Sequence, residues 1–191
     1  MFWCMTAAIV AGAVISWAAA WLVRVCGPKF GMVDQPGHRK VHDQAMPTCG
    51  GLAIWLGIVL PIVAGQIVLL WLRSYGGSDE GTESAYPAFL PEAVTVHVAG
   101  IWHQLPKLWT LIGAATVLML LGLIDDLRGL KWQIRLAVQF AVAIFMVQQG
   151  WRMTLFIDNI VLTYVLSVFW IVGLINSFNM LDNMDGLSGG V

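Results

Sequence analysis

Five apolar runs alternate with polar segments along the chain. By residue number, the runs cover 2–23, 49–72, 107–124, 132–149 and 160–181. A transmembrane helix needs roughly 20 apolar residues, and the runs are close to that length. The pattern therefore predicts an all-α fold, a polytopic integral membrane helix bundle with about five transmembrane helices. We expect residues 1–191 to form a single membrane domain.

The charges between the runs predict the orientation. The segment from Arg24 to Thr48 and the turn after Asp126 are basic, whereas the connection from Arg73 to Leu108 is mainly acidic. Loops rich in Lys and Arg face the cytoplasm. Counting crossings then puts the N-terminus outside and the end of the fifth run on the cytoplasmic side. The short connection from Gly150 to Asn159 becomes an outer turn.

The overall composition agrees with a membrane protein. The chain is 59% hydrophobic and 11% charged, whereas a soluble domain is about half apolar and about a quarter charged. The formal net charge of −1 says little, because the charges are sorted by position. The basic residues do not cluster with exposed aromatic residues, so no nucleic-acid partner is expected.

Two adjacent carboxylates end the third run. Asp125 and Asp126 follow an apolar helix directly, and charges there cost free energy unless they are paired or bind a metal ion. They could bind a hard divalent cation or take part in proton transfer. The alternative is a solvated helix end that Arg128 and Lys131 neutralise. Carboxylates at the C-terminal end of a helix oppose its dipole, which weakens that alternative.

A row of amides and carboxylates follows the fifth run. Asn176, Asn179, Asp182 and Asp185 recur every third residue, so neighbouring members share one face of a helix. Their oxygen atoms are ligands suited to Mg2+. The alternative is a polar helix end that leads into a loop, since Asn and Asp are common turn formers.

The basic segment after the first run is the third candidate. Arg39, Lys40 and His42 could present cations to phosphate groups. Alternatively, the positive charge only sets the membrane orientation. Together, the three segments place cations, a carboxylate pair and an Asn/Asp row on one membrane face. Transfer of a phosphoryl-linked group at that surface needs such an arrangement.

Three motifs carry a resemblance to a known family. They are DQPGHRKVHDQAMPTCGG at Asp34–Gly51, GLIDD at Gly122–Asp126 and NSFNMLDNMDGL at Asn176–Leu187. In this order the chain resembles the polyprenyl-phosphate N-acetylhexosamine-1-phosphate transferases of glycosyltransferase family 4, which include the phospho-N-acetylmuramoyl-pentapeptide transferases. The resemblance covers essentially the whole chain.

The resemblance implies a reaction and its setting. A UDP-linked N-acetylhexosamine donates sugar-1-phosphate to undecaprenyl phosphate and releases UMP. The lipid-linked product starts a cell-envelope polymer such as lipopolysaccharide or teichoic acid. The implied location is the bacterial inner (cytoplasmic) membrane, with the active site facing the cytoplasm. The implied partners are the two substrates and membrane lipid, and a homodimer is a further expectation.

The resemblance also implies roles for seven residues and a cofactor, Mg2+, with Mn2+ as an alternative. The seven are the catalytic Asp125 and Asp126, the metal-site residues Asn179 and Asp182, and the substrate-binding Lys40, His42 and Asp185.

The sequence departs from the family in two respects. Asn183 stands where much of the family has Gly, and Asn tolerates a left-handed turn better than most residues do. Family members are also much longer, with later loops that carry another catalytic Asp and a basic donor-binding motif. We therefore expect the chain to be the N-terminal part of a longer transferase and to be inactive by itself.

Three other functions remain open at this point. An ion or solute transporter would also place Asp and Asn in its helices, but nearer the middle of the bilayer. A non-catalytic membrane assembly subunit is the second alternative, if 191 residues is the true length. A CDP-alcohol phosphotransferase is the third, but its DGxxAR signature is missing.

Overall fold

The structure is a computed structural model that describes residues 2–30, 33–34, 46–47, 50–75, 92–153 and 159–181. Its elements in chain order are α1 (Phe2–Cys26), a 3₁₀ turn (Gly27–Phe30), β1 (Val33–Asp34), β2 (Met46–Pro47), α2 (Gly50–Tyr75), α3 (Glu92–Arg128), α4 (Trp132–Gln148) and α5 (Ile160–Leu181). The predicted all-α class is confirmed, since the strands among these residues are two residues long.

The helices have the composition and surface of membrane helices. Four of them are long and apolar enough to cross a membrane, by length and composition, and α4 is a shorter apolar helix. Large apolar side chains cover their surfaces, as at Trp17 and Val161, which are 74% and 68% exposed. Apolar surface on this scale marks contact with lipid or with other helices. The predicted polytopic membrane bundle is therefore confirmed.

The helix bounds differ most from the sequence prediction around the acidic connection. We predicted a polar connection from Arg73 to Leu108, but α2 continues to Tyr75 and α3 begins at Glu92. The apolar part of α2, Gly50–Trp71, agrees with the predicted run 49–72, whereas the apolar part of α3 begins at Gly100, earlier than the predicted 107. The segment from Ala93 to Trp102, which the sequence left open as a short interfacial segment, belongs to α3. With 37 residues, α3 is much longer than the roughly 20 that a crossing needs.

The chain divides into two compact units, 1–112 and 113–191. In the first unit α1 and α2 cross closely where their side chains are small. A Cβ atom added to Gly57 would lie 2.7 Å from Cβ of Ser16 and 2.9 Å from the carbonyl oxygen of Gly12. Only glycine at position 57 allows this approach, which is the usual role of small residues between membrane helices.

Polar contacts also occur in the first unit. Nε1 of Trp109 in α3 donates to Oε1 of Gln66 in α2 at 2.9 Å. The strands β1 and β2 pair in antiparallel fashion, with Val33 opposite Pro47. This pairing brings together two ends of the basic segment, whose residues 35–45 lie outside the described part of the chain.

In the second unit, α4 and α5 form a helical hairpin with capped ends. The end of α4 is a Schellman motif: the amide of Trp151 donates to Met146, that of Gly150 donates to Val147, and Gly150 has a φ of 94°. Asn159 caps α5, because its Oδ1 accepts from the amides of Val161 and Leu162. These caps satisfy backbone groups that would be costly to leave unpaired near lipid.

Two side-chain contacts close the hairpin. Oγ of Ser167, a residue that is 1% exposed, accepts from the amide of Met153 at 3.0 Å and donates to the carbonyl of Thr163 at 2.6 Å. The rings of Phe140 and Phe169 pack edge to face with centroids 5.6 Å apart. The hairpin therefore holds α4 antiparallel to α5. The prediction that both units form one membrane domain stays a prediction.

Candidate functional site

The aspartate pair lies in the last turn of α3. Helix α3 ends at Arg128, and Gly129 follows with a φ of 62° while its amide donates to the carbonyl of Asp125 at 2.7 Å. This is the αL type of helix ending, for which glycine carries no steric cost. The chain turns within three residues and enters α4 at Trp132. The turn therefore brings the start of α4 back to the aspartates.

Both oxygens of the Asp125 carboxylate are used within this turn. Oδ1 accepts from the amide of Leu130 at 2.8 Å, and Oδ2 accepts from Nη1 of Arg135 at 2.6 Å. The side chains of Arg135 and Asp125 are 38% and 21% exposed, so the ion pair is partly shielded from water. Asp125 thus ties the end of α3 to the turn and to the first turn of α4.

The partner of Asp125 is not the one that the sequence indicated. Arg128 and Lys131 were the neutralising cations in the alternative of a solvated helix end. Instead, Arg135 pairs with Asp125. The reason is geometric, because a three-residue turn between antiparallel helices brings the first turn of one against the last turn of the other. The short Gly-containing link is the signal that could have indicated this pair.

Asp126 differs from its neighbour in its surroundings. It lies one position further along the last turn of α3 and is exposed. The two carboxylates therefore have different environments although they are adjacent in sequence. The assignment of both as catalytic residues stays a prediction.

The first two members of the Asn/Asp row lie in the last turns of α5. Nδ2 of Asn176 donates to Oε1 of Gln139 at 2.7 Å and to the carbonyl of Val172 at 2.8 Å. Asn179 lies one turn further on and is exposed. The row therefore starts with a residue that contacts α4 and continues towards the end of the helix.

Helix α4 contacts both the aspartate pair at the end of α3 and the Asn/Asp row at the end of α5. Arg135 and Gln139 are four residues apart, so they share one face of the helix. The first holds Asp125 and the second holds Asn176. Because α4 and α5 are antiparallel, the turn that carries Arg135 is level with the turn that carries Asn179. In the sequence, Arg135 and Gln139 are polar residues within the fourth apolar run, 132–149, and nothing in their spacing indicated these contacts.

The remaining predicted site residues lie outside the part of the chain that the structure describes. They are Lys40, His42, Asp182 and Asp185. Within the described residues, no group of three or more His, Cys, Asp or Glu side chains could hold a metal ion. The donors that are described there are carboxylate and amide oxygens, which is the chemistry that Mg2+ prefers.

The helices and this polar cluster define a class: a multi-pass membrane protein with charged and amide side chains gathered at helix ends. Residues 108–191 match the family described as glycosyl transferase family 4. The matched segment includes the aspartate pair, α4 and the Asn/Asp row. The comparison confirms the family that the three sequence motifs indicated, glycosyl transferase family 4.

Named relatives agree with this family. The chain is 31% identical over 178 residues to a probable undecaprenyl-phosphate N-acetylglucosaminyl 1-phosphate transferase of Bacillus subtilis, covering 89% of the chain and 40% of that protein. It is 28% identical to a decaprenyl-phosphate N-acetylglucosaminephosphotransferase of Mycolicibacterium smegmatis, covering 94% and 40%. It is also 28% identical to an undecaprenyl-phosphate alpha-N-acetylglucosaminyl 1-phosphate transferase of Thermotoga maritima, covering 94% and 46%. The chain thus spans less than half the length of each relative. No solved structure matches the chain.

Proposed function

We propose that the complete protein transfers N-acetylhexosamine-1-phosphate from a UDP-sugar to undecaprenyl phosphate. An oxygen of the lipid phosphate forms a bond to the phosphorus that carries the sugar. The bond from that phosphorus to the bridging oxygen of the diphosphate breaks, and UMP leaves. The product is a lipid-linked diphosphate sugar that starts a cell-envelope polymer.

One observation carries this proposal. The Asp125–Arg135 ion pair and the Gln139–Asn176 hydrogen bond gather two of the three predicted motifs around α4. These residues lie within the segment that matches glycosyl transferase family 4. The names of the relatives from Bacillus subtilis and Mycolicibacterium smegmatis specify a polyprenyl phosphate and N-acetylglucosamine. These names support the substrates proposed here.

The described residues suggest separate roles for the two carboxylates. Asp125 accepts from Arg135 and from the amide of Leu130, so besides its proposed catalytic role it holds the turn and keeps the Arg135 cation in place. Asp126 is exposed beside it and is the carboxylate that orients or deprotonates the acceptor. Arg135 adds a fixed positive charge next to the diphosphate.

A divalent cation fits the donor chemistry of this site. Mg2+, when bound, neutralises charge on the diphosphate and on the leaving UMP. Asn179 and Asp182 are the residues proposed to hold it, with Mn2+ as an alternative. Lys40, His42 and Asp185 are proposed to contact the donor. The proposed location of this site is the cytoplasmic side of the bacterial inner membrane, which the positive charge of the basic segments supports.

A transport function is less well supported. A transporter would place its carboxylates near the middle of the bilayer. Asp125 and Asp126 instead lie in the last turn of α3, directly before the turn at Gly129. This position suits a site at the membrane surface.

Release of UMP by the full-length protein tests the proposal. With Mg2+, undecaprenyl phosphate and UDP-N-acetylglucosamine, the wild type should release UMP. Asp126→Asn should lower kcat at least about 100-fold, because it removes the proposed base or orienting carboxylate. The thermal unfolding midpoint of the variant, measured in parallel, separates a loss of turnover from a loss of folded protein.

Asp158→Asn is the matched control, because it makes the same chemical change in the predicted outer turn. It should leave UMP release unchanged. Wild-type turnover in Asp126→Asn would overturn the role of this carboxylate. Absence of UMP release from the wild type with every UDP-N-acetylhexosamine would overturn the proposed reaction.

A further inference from the structure

Gln139 is a buried polar side chain within an apolar helix. It lies in α4 and is 7% exposed. Burying an amide away from water costs free energy unless it is hydrogen-bonded. Its Oε1 accepts from Nδ2 of Asn176 at 2.7 Å. The roles proposed above for the reaction do not include Gln139.

The contact defines the orientation of the Asn176 amide. Nδ2 of Asn176 donates one proton to Gln139 and the other to the carbonyl of Val172, four residues earlier in α5. Both protons of an amide NH2 group lie in the amide plane, so two acceptors define that plane. With Val172 alone, the amide could rotate about the remaining hydrogen bond. The opposite orientation would place Oδ1 against the Val172 carbonyl, and two acceptors repel each other.

The consequence concerns the remaining polar atom of Asn176. Because both protons of Nδ2 are used, the carbonyl oxygen Oδ1 is the atom that this side chain presents to a ligand. Asn176 precedes Asn179 by one turn, and Gln139 follows Arg135 by one turn. The contact between Gln139 and Asn176 thus lies about one helical turn from Arg135 in α4 and from Asn179 in α5. Amide carbonyl oxygens are good ligands for hard divalent cations.

We propose that Gln139 is a positioning residue: with the Val172 carbonyl, it fixes the Asn176 amide so that Oδ1 is offered to a divalent cation. The inference rests on the proposed function, because it concerns the same metal site. A partner that orients a metal ligand typically changes metal affinity by about 10- to 100-fold when it is removed. Gln139 acts through Asn176 and does not itself need to contact the metal or the substrates.

Mn2+ binding to the full-length protein, followed by electron paramagnetic resonance without substrates, tests the inference. Gln139→Met has nearly the length of the native side chain but no acceptor oxygen, and it should weaken Mn2+ binding about 10-fold. Gln139→Glu keeps an acceptor oxygen and should bind Mn2+ about as the wild type does. Gln148→Met removes an exposed glutamine at the other end of α4 and should have no effect.

The thermal unfolding midpoint of each variant separates positioning from a purely structural role. A lowered midpoint in Gln139→Met with wild-type Mn2+ affinity would overturn the inference. Equally weak binding in Gln139→Met and Gln139→Glu would also overturn it, because the acceptor oxygen would then not matter. Gln139→Leu serves in place of Gln139→Met if that variant does not fold.

Measuring UMP release in parallel distinguishes this inference from the proposed function. Weaker Mn2+ binding in Gln139→Met, restored in Gln139→Glu, supports the positioning role even where no variant and no wild-type sample releases UMP. UMP release by the wild type together with unchanged Mn2+ affinity in Gln139→Met contradicts the positioning role alone.

Discussion

The α1–α2 pair and the α4–α5 pair are held together in different ways. The first pair meets at Gly12, Ser16 and Gly57, where the backbone of one helix touches the other. The second pair meets through a buried hydrogen bond between Gln139 and Asn176 and through Phe140 and Phe169. Both kinds of contact can hold two helices together in lipid. Apolar contact alone gives little preference for one neighbour over another, because lipid is equally apolar.

The different contacts of the two helix pairs indicate which pair contains the predicted functional site. The residues at the α1–α2 crossing, Gly12, Ser16 and Gly57, carry no charged or amide side chain. Polar bridges place amides and charges inside the membrane protein at a cost in free energy. The α4–α5 pair, which contains these buried polar groups, also contains residues of the predicted site. It lies in the segment that matches the family. The α1–α2 crossing is thus a packing contact, and α4 is the helix that contacts Asp125 and Asn176 of the predicted site.

The largest effect on stability is expected at the α1–α2 crossing. Gly57→Val should lower the free energy of unfolding by about 3 kcal/mol, because its Cβ would overlap Ser16 and the Gly12 carbonyl. Gly65→Val lies on the same helix with nothing within 4 Å of an added Cβ, so it is the matched control. Unfolding of the full-length protein in detergent by denaturant measures both. Similar losses in the two variants would contradict a close crossing at Gly57.

A smaller effect is expected at the Asp125–Arg135 pair. Arg135→Met should cost about 1.5 kcal/mol, because it removes a charged hydrogen bond from a partly shielded carboxylate. It should also lower UMP release, unlike the change at Gly57, if the variants are compared at equal folded concentration. The same unfolding assay and the UMP assay measure the two effects.

Lys131→Met is the control for this pair. Lys131 is exposed in the same turn and was one of the cations that the sequence indicated as a partner. Its loss should change the free energy of unfolding by less than about 0.5 kcal/mol, as for most surface positions. A greater loss in Lys131→Met than in Arg135→Met would show that the turn cations, and not Arg135, neutralise the aspartates.

The smallest effect is expected at Ser167 in the α4–α5 hairpin. Ser167→Ala removes the acceptor of the Met153 amide and should cost about 1 kcal/mol. Ser177→Ala, on the same helix, removes only a bond to the carbonyl of Gly173 four residues earlier and should be near neutral. Hydrogen exchange at Met153 would show the local loss directly. Unchanged protection there would contradict a role for Ser167 in closing the hairpin.

Much of this fold could be predicted because membrane helices have a local signal. A run of about 20 apolar residues is visible without any tertiary information, and it located the regions of all five helices. The start of α3 at Glu92 was missed, since polar residues such as His97, His103 and Gln104 interrupt this part of the helix and no continuous apolar run marks it. The link 150–159 was recognised as a turn, but its Schellman and Asn159 caps depend on hydrogen-bond geometry.

The sequence by itself determined the class of fold, the family and the motifs in which the site residues lie. The apolar runs suffice for the fold class, and motif order and residue type suffice for the family. Only the tertiary structure decided which neighbours those residues have. Asp125 and Asp126 are the same residue type, yet Asp125 is half-buried against Arg135 whereas Asp126 is more exposed. That choice depends on the register of α4 against the end of α3, and Gln139 reaches Asn176 for the same reason.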